Sequence, residues 1–266
     1  MILVNDSAND KELKKAWDII NQKRQLLFQD LGRLLIAQLA KESRELAVKV
    51  RIGEINDPMN ILDSNIVKNN EWNLLFERIY TIAARLFVSE SLQELKSDRR
   101  FFDEVVLRRV LQYVGEVGAE KVKNITDNTK KQMQQVLQEG INQGLGAFEL
   151  AKLIDERFLD INSVRAKRIA RTETVAASNA GSYIGAQAVG ELIKKVWLSA
   201  QDDRVRGVQP DSGASHIAMN GQKQDMNDSF VEPLTGDQMQ FPGDSSQGAS
   251  AKNIVNCRCT IIYERI

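Results

Sequence analysis

The sequence has few cysteines, histidines and prolines, and neither sign of charge is in excess. Two cysteines in 266 residues cannot form the disulfide framework of a small secreted protein, so we expect assembly in a reducing cytoplasm. The single histidine excludes mechanisms that need two. The 36 Lys and Arg residues balance the 36 Asp and Glu residues. A chain-wide basic surface for nucleic acid is thereby excluded, and DNA contact would need a local patch.

Long apolar runs and common catalytic motifs are missing as well. No run approaches the roughly 20 apolar residues that a membrane span needs. The stretch from Met1 to Asp6 has no basic segment and no long apolar segment, so we expect no signal peptide. The sequence contains no GxxxxGK[ST], HExxH or GxSxG motif. These absences predict a protein without a membrane partner, and nothing in them requires an enzyme.

Helical periodicity dominates the first two thirds of the chain. Asn9 followed three positions later by Glu12 has the pattern of a helix N-terminus. A second helix is predicted from about Asp63, and a third passes through Tyr113. Apolar stripes of this kind are typical of a helical bundle core rather than of a ligand site. The stripe of the first helix includes Trp17, Leu31 and Leu35.

The middle of the chain predicts shorter helices. Two are expected at Lys130 to Glu139 and Phe148 to Phe158, separated by the glycine-rich turn 140–146. Asn162 or Ser163 would cap the next helix, which runs towards Lys195. Its many alanines and glycines indicate close packing against other helices, because glycine is otherwise costly in a helix.

The composition changes at Val196. Val196 to Ala200 is a predicted strand, residues 201–253 predict loops with short strands, and Ile254 to Tyr263 predicts a final strand. The expected fold is α+β, with a mainly α-helical body and a small, loop-rich C-terminal α+β module that ends in a β-strand. The chain divides into an N-terminal helical region (1–123), a helical segment (124–195) and a loop-rich, β-containing part (196–266).

Cys257 and Cys259 fall within the predicted final strand, where alternation places both thiols on one face. Their spacing makes a disulfide between them unfavourable. Both thiols could reach a metal ion, with His216 as the third ligand of a zinc site, although CxC is a less specific signal than CxxC. The expected arrangement is nevertheless two buried, structural thiols beside a hydrogen-bonded histidine, with no bound metal or cofactor. A nucleophilic Cys–His pair is a further alternative.

Charged residues cluster at two places. The run from Asp202 to Arg206 predicts a solvated turn or a buried ion pair, in which the planar fork of an arginine pairs with both oxygens of a carboxylate such as Asp203 or Glu173. A second group could meet DNA phosphates or acidic partners. Its members are Arg165, Lys167, Arg168 and Arg171.

The order of these elements from Thr126 to Tyr263 resembles the C-terminal part of Mu F-like head morphogenesis proteins. The resemblance includes the stretches Asn220-Gly221-Gln222 and Pro242-Gly243-Asp244. The other positions that carry it are Arg171, Glu173, Trp197, Asp203, Arg204, Arg206, His216, Cys257, Arg258 and Cys259.

The resemblance implies a phage minor capsid protein that is not an enzyme. Such a protein is expected in several copies at the portal vertex, bound to the portal protein and other capsid proteins, and inside the head of the virion. It would assist capsid assembly, DNA packaging or DNA ejection, after synthesis in the host cytoplasm. The shared polar residues carry no catalytic role from the family. The competing hypothesis is a phage-borne enzyme or toxin-like module that uses His216 with Cys257 or Cys259.

Overall fold

A computed structural model describes residues 3–4, 8–93, 99–189, 193–208 and 213–265 of the chain. The helices are α1 (Asp10–Arg51), α2 (Asn60–Asp63), α3 (Asn69–Gln93), α4 (Arg99–Asn142), α5 (Ala147–Val189) and α6 (Ala251–Ile254). The strands are β1 (Leu3–Val4), β2 (Ile193–Leu198), β3 (Lys223–Asp225), β4 (Phe230–Val231), β5 (Gln238–Met239) and β6 (Thr260–Arg265). The predicted class, a mainly helical α+β fold with small C-terminal sheets, is confirmed. No helix among the described residues is long and apolar enough to cross a membrane.

Helix α1 begins where the sequence predicts. The Asn9 side-chain oxygen accepts hydrogen bonds from the backbone N–H groups of Lys11 and Glu12, at 3.0 and 3.1 Å. The Glu12 carboxylate in turn accepts from the Asn9 N–H at 2.9 Å. This reciprocal capping box satisfies donors that the first helical turn leaves open. The helix ends at Arg51, followed by Gly53 at φ 79°.

The second predicted helix start is wrong. Asp63 ends the four-residue helix α2, and the long helix α3 begins at Asn69. The apolar face expected for this helix is only partly correct. Trp72, Phe76 and Ile79 are fully buried, whereas Leu86, expected on the same face, is 46% exposed.

The predicted breaks in the middle of the chain are only partly correct. The Gly-rich turn does separate two helices, since α4 ends at Asn142 and α5 begins at Ala147. Asn162 and Ser163, however, lie inside α5 and cap nothing. Asn162 is buried and donates a hydrogen bond to the Ser43 hydroxyl at 3.3 Å, so tertiary packing supplies the partner that a cap would have used.

Among the described residues, the C-terminal strands and the N-terminal strand β1 form one four-stranded and one two-stranded sheet. The larger sheet has the order β1-β6-β2-β3. Strand β6 pairs antiparallel with β2 over the register Ile193–Arg265 to Leu198–Thr260, and β1 pairs with it in parallel. Helix α5 ends at Val189, so Lys195, predicted at the end of a helix, lies inside β2.

The chain folds into two compact units. Unit 1 comprises residues 1–29, 77–117 and 171–266, and unit 2 comprises residues 30–76 and 118–170. Both units therefore contain segments of α1, α3, α4 and α5. These spatial units cut across the three ranges predicted from composition, and the division into those ranges stays a prediction.

Candidate functional site

Cys257 and Cys259 lie before the final strand, not inside it. The short helix α6 ends at Ile254, and the Cys257 N–H donates to the Ile254 carbonyl at 3.2 Å. Between Ile254 and Cys257, Asn256 has a φ of 58°. This is the left-handed region of backbone conformation, which asparagine adopts more readily than most residues with a side chain. This turn interrupts the extended chain, so β6 starts only at Thr260. The prediction of a strand from Ile254 is therefore wrong at its N-terminal end.

The two thiols and His216 come together in unit 1. The Sγ atoms of Cys257 and Cys259 each lie 3.5 Å from the His216 Nδ1. The three potential ligand atoms lie within 4.8 Å of one another. Each of the three residues is 1% exposed, and both cysteines are free thiols. The juxtaposition predicted from the sequence is thus present, although a loop rather than a strand provides it.

The two thiols differ in their ionisation. A hydrogen bond from Cys259 lowers the pKa of the Cys257 thiol well below its ordinary value, and nearby His216 and Arg206 act in the same direction against burial. Burial raises the pKa of Cys259 well above its ordinary value. Cys257 is therefore the thiol that ionises first.

Asn253 and Asp237 orient the imidazole. The His216 Nε2 lies 2.9 Å from the Asn253 side-chain oxygen. The Asn253 side-chain nitrogen donates to the Asp237 carboxylate at 2.8 Å and to the Thr235 hydroxyl at 2.9 Å. Although burial opposes it, hydrogen bonding from Ser250 and Asn253 keeps the pKa of Asp237 below its ordinary value. An ionised carboxylate only accepts, so the amide of Asn253 presents its oxygen to the ring.

Arg24 fixes the backbone around the thiols, and the sequence analysis missed it. Its guanidinium donates to the Cys259 carbonyl at 3.2 Å, the Asn179 side-chain oxygen at 2.6 Å and the Ser178 hydroxyl at 2.7 Å. It is 3% exposed, and burial lowers its pKa to about 10. A signal for this role exists in the sequence. Arg24 interrupts the apolar stripe of α1 at a buried helical position.

Trp197 and the turn at Gly221 form the wall behind His216. The indole and imidazole rings pack edge to face with centroids 5.3 Å apart. The Gly221 N–H donates to the Trp197 carbonyl at 2.8 Å, and the Trp197 N–H donates to the Gln222 carbonyl at 2.9 Å. Gly221 has a φ of 79°, which a residue with a side chain rarely adopts. Glycine thus permits the turn that continues the pairing beside Trp197.

Arg206, Arg171 and Glu173 also have hydrogen-bond partners within unit 1. Arg206 donates to the Val255 carbonyl, and its own carbonyl accepts from the Ile217 N–H at 3.0 Å, next to His216. Arg171 approaches the Asn256 side chain at 3.4 Å. Glu173 accepts a hydrogen bond from the Tyr80 hydroxyl at 2.9 Å.

The predicted arginine–carboxylate pair exists, but with different partners. Arg258 binds Asp202 through two hydrogen bonds of 2.7 and 3.0 Å. Asp203 is exposed, and Arg204 approaches Asp202 at 3.5 Å. Asp203 is one of the partners predicted from the sequence, and the carboxylate that binds the arginine is instead that of the adjacent Asp202. The sequence offers no means of choosing between two adjacent aspartates on a turn.

This arrangement suits structure better than catalysis. A catalytic thiol must be accessible to its substrate and sits in an electropositive, partly exposed environment. Cys257, Cys259 and His216 are buried on every side. The motif residues instead connect α1, α5, α6, β2 and the C-terminal loops through hydrogen bonds. Their geometry supports holding one loop-rich region in a single conformation.

The comparisons with known proteins agree with this organisation. A family model described as Phage Mu protein F like protein matches residues 131–262. No curated protein and no solved structure matches the chain. The match covers about half of the chain and contains nearly all of the residues that carry the resemblance seen in the sequence. The chain therefore belongs to the Phage Mu protein F like family, a family of phage head morphogenesis proteins.

Proposed function

We propose that the chain is a minor capsid protein that binds the portal, is packaged inside the head, and assists assembly, DNA packaging or DNA delivery. Family membership is the observation that carries this proposal, because it supports a capsid-related role. The network that joins the family's polar positions is the second support. In this network the polar residues stabilise the fold of a module that binds other proteins, and they need no catalytic role.

The long apolar stripe of α1 is the first candidate for a portal contact, but it is not available for one. Trp17, Leu31 and Leu35 are 6%, 0% and 0% exposed, because they pack inside their own units. Residues with exposed apolar side chains are the better candidates for binding a partner.

Unit 2 offers such residues beside a groove between α1 and α5. Leu159 is 74% exposed at its edge, and Val164 further along α5 is 58% exposed. The groove encloses about 390 Å³, and an apolar side chain of a partner would bury area there. The groove-lining residues are Ile36, Ala40, Ser43, Arg44, Asp155, Phe158, Leu159 and Asn162.

The two competing functions have less support. Arg165 is buried and donates to the Thr129 hydroxyl at 2.9 Å, so the basic group that could meet DNA or an acidic partner does not form one exposed stripe. The enzyme hypothesis requires access to His216 and the thiols, which their burial opposes. A role in binding other head proteins remains the best supported function.

Co-sedimentation with the portal protein from the same phage genome tests the proposal. We expect Leu159→Lys to weaken binding roughly tenfold, as expected when about 1.4 kcal/mol of apolar burial is lost. Leu234→Lys is the matched control, since Leu234 is 68% exposed but lies in unit 1. Equal binding by both variants would contradict the groove as the contact. No binding by the wild-type chain would contradict portal association itself.

A further inference from the structure

The pairing of one imidazole with two thiols is the feature that a purely apolar site does not explain. His216 has its Nε2 directed at the Asn253 oxygen, which can only accept, so Nε2 carries the proton. In the neutral ring Nδ1 then offers a single lone pair. Cys257 and Cys259 both lie 3.5 Å from that one atom. One lone pair serves one S–H donor well, and the other thiol has only the neighbouring sulfur, a weak acceptor, as its partner.

We infer that His216, Cys257 and Cys259 bind a zinc ion, with one further position for a solvent ligand. Zinc is bound by neutral imidazole and thiolate, and sites with two cysteines, one histidine and an exchangeable fourth ligand are known. A single ion on the Nδ1 lone pair engages both sulfurs at once. This inference is independent of the proposed role in the head.

The distances fit this ion. Bonds of about 2.3 Å to sulfur and about 2.0 Å to nitrogen, at the tetrahedral angle, separate a sulfur from the nitrogen by about 3.5 Å. Both Sγ–Nδ1 distances are 3.5 Å. Two zinc-bound sulfurs lie about 3.8 Å apart by the same geometry. All three ligand atoms lie within 4.8 Å of one another, so the thiols need to close by about 1 Å at most.

The surroundings resemble those of metal sites in which outer groups hold the ligands. The hydrogen-bonded series Asp237–Asn253–His216 fixes the orientation of the ring and leaves Nδ1 facing the thiols. In metal-bound histidines the ring nitrogen that does not bind the metal is commonly held by a hydrogen bond in the same way. Arg24 holds the Cys259 carbonyl, and Arg206 holds that of Val255. The loop that carries both thiols is thus fixed from two sides before any ion binds.

Metal analysis of the folded, reduced full-length chain tests the inference. We expect about one zinc per chain after incubation with zinc chloride and removal of excess metal. Cobalt(II) added to the metal-free chain should give the visible bands of a tetrahedral ion and a thiolate-to-cobalt charge-transfer band. Zinc, but not magnesium, should raise the melting temperature. A folded wild-type chain that binds no zinc and shows no charge-transfer band with cobalt would overturn the inference.

Variants identify the ligands. Cys257→Ser and Cys259→Ser should each abolish the charge-transfer band or reduce it markedly, while Met219→Leu, a volume-conserving change at a buried position, should retain it. Asn253→Ala keeps all three ligands and should weaken zinc binding roughly 10- to 100-fold, as measured by competition with a chelator. Zinc that remains stoichiometric and equally tight in the double Cys257→Ser, Cys259→Ser variant would place the ion elsewhere and overturn the assignment. Variants that do not fold leave the decision to the wild-type spectrum.

Discussion

Glu42 is a buried carboxylate in unit 2 with an unusual balance of partners. One of its oxygens accepts from the Trp72 indole at 2.7 Å and from the Gln38 side chain at 2.9 Å. Burial raises its pKa from 4.5 to about 7, although these hydrogen bonds and the charge of Arg165 oppose the shift. The folded chain therefore keeps a proton on Glu42 at a pH where the unfolded chain has lost it.

This difference predicts a pH dependence of stability. Because the folded pKa is raised, Glu42 lowers the free energy of unfolding as pH rises from 4.5 to about 7, by roughly 3 kcal/mol in total. Glu42→Gln removes the ionisation and retains an acceptor for Trp72. We therefore compare the free energy of unfolding of Glu42→Gln with that of the wild type at each pH. The difference should favour the variant by about 2–3 kcal/mol more at pH 8 than at pH 5.

Urea unfolding of both proteins at the two pH values measures this difference. Glu120→Gln, a change at an exposed glutamate of the same unit, controls for the removal of a surface carboxylate. A Glu42→Gln effect that is the same at pH 5 and pH 8 would show that Glu42 is not held protonated by the fold.

At the residue scale the sequence identifies the atoms of the candidate site but not the groups that position them. His216, Cys257 and Cys259 stand out because each type is rare in the chain. Asn253 and Asp237 belong to a region full of similar polar residues, and only the loop geometry brings them to the imidazole. Arg24 is different, because a charged residue in an apolar helical stripe is visible in the sequence.

At the scale of elements, the small residues of α5 allow the close helix packing that their composition predicts. An added Cβ at Gly181 would lie 3.0 Å from the Cα of Ala84 on α3, so these two helices approach each other closely in unit 1. Ala176, Ala177 and Ala180 on the same helix are buried. Close helix contact is the reason that glycine is kept at a helical position where alanine would otherwise be favoured.

Gly181→Ala should therefore be destabilising. The new methyl group meets the backbone of Ala84, and overpacking of this kind costs about 1–3 kcal/mol, which exceeds the gain in helix propensity of about 1 kcal/mol or less. Gly32→Ala is the matched control, because no atom lies within 4 Å of its added Cβ. We expect that control to gain up to about 1 kcal/mol.

Thermal and urea unfolding of the two alanine variants decides between these effects. The expected result is a lower melting temperature for Gly181→Ala and a higher one for Gly32→Ala. If both variants gain stability, the close approach of α3 and α5 at this position is not part of the folded chain.

Local signals predicted where elements begin only when no tertiary contact competed with them. The capping box of Asn9 and Glu12 starts α1 as expected. Asn162 has the same capping chemistry, but it lies inside α5 and binds Ser43. A side chain that can cap a helix can also bind a neighbouring helix, and the sequence alone does not say which partner is nearer.

For the whole molecule, the order of motifs was more informative than any one of them. Asp203, Gly221 and the CxC pair are each common patterns with several structural explanations. Their order along the chain predicted the family, and the match over residues 131–262 confirms it. The compact units could not be predicted in the same way, because each is assembled from segments far apart in sequence.

The central proposal is that the chain is a component of the phage head and lies inside it. Protease treatment of purified particles, before and after the heads are opened, tests this claim directly, with the chain quantified by mass spectrometry. We predict that the chain is present in intact particles, resists the protease there, and is degraded once the heads are opened. Absence of the chain from purified particles, or its degradation while the heads are intact, would contradict the account.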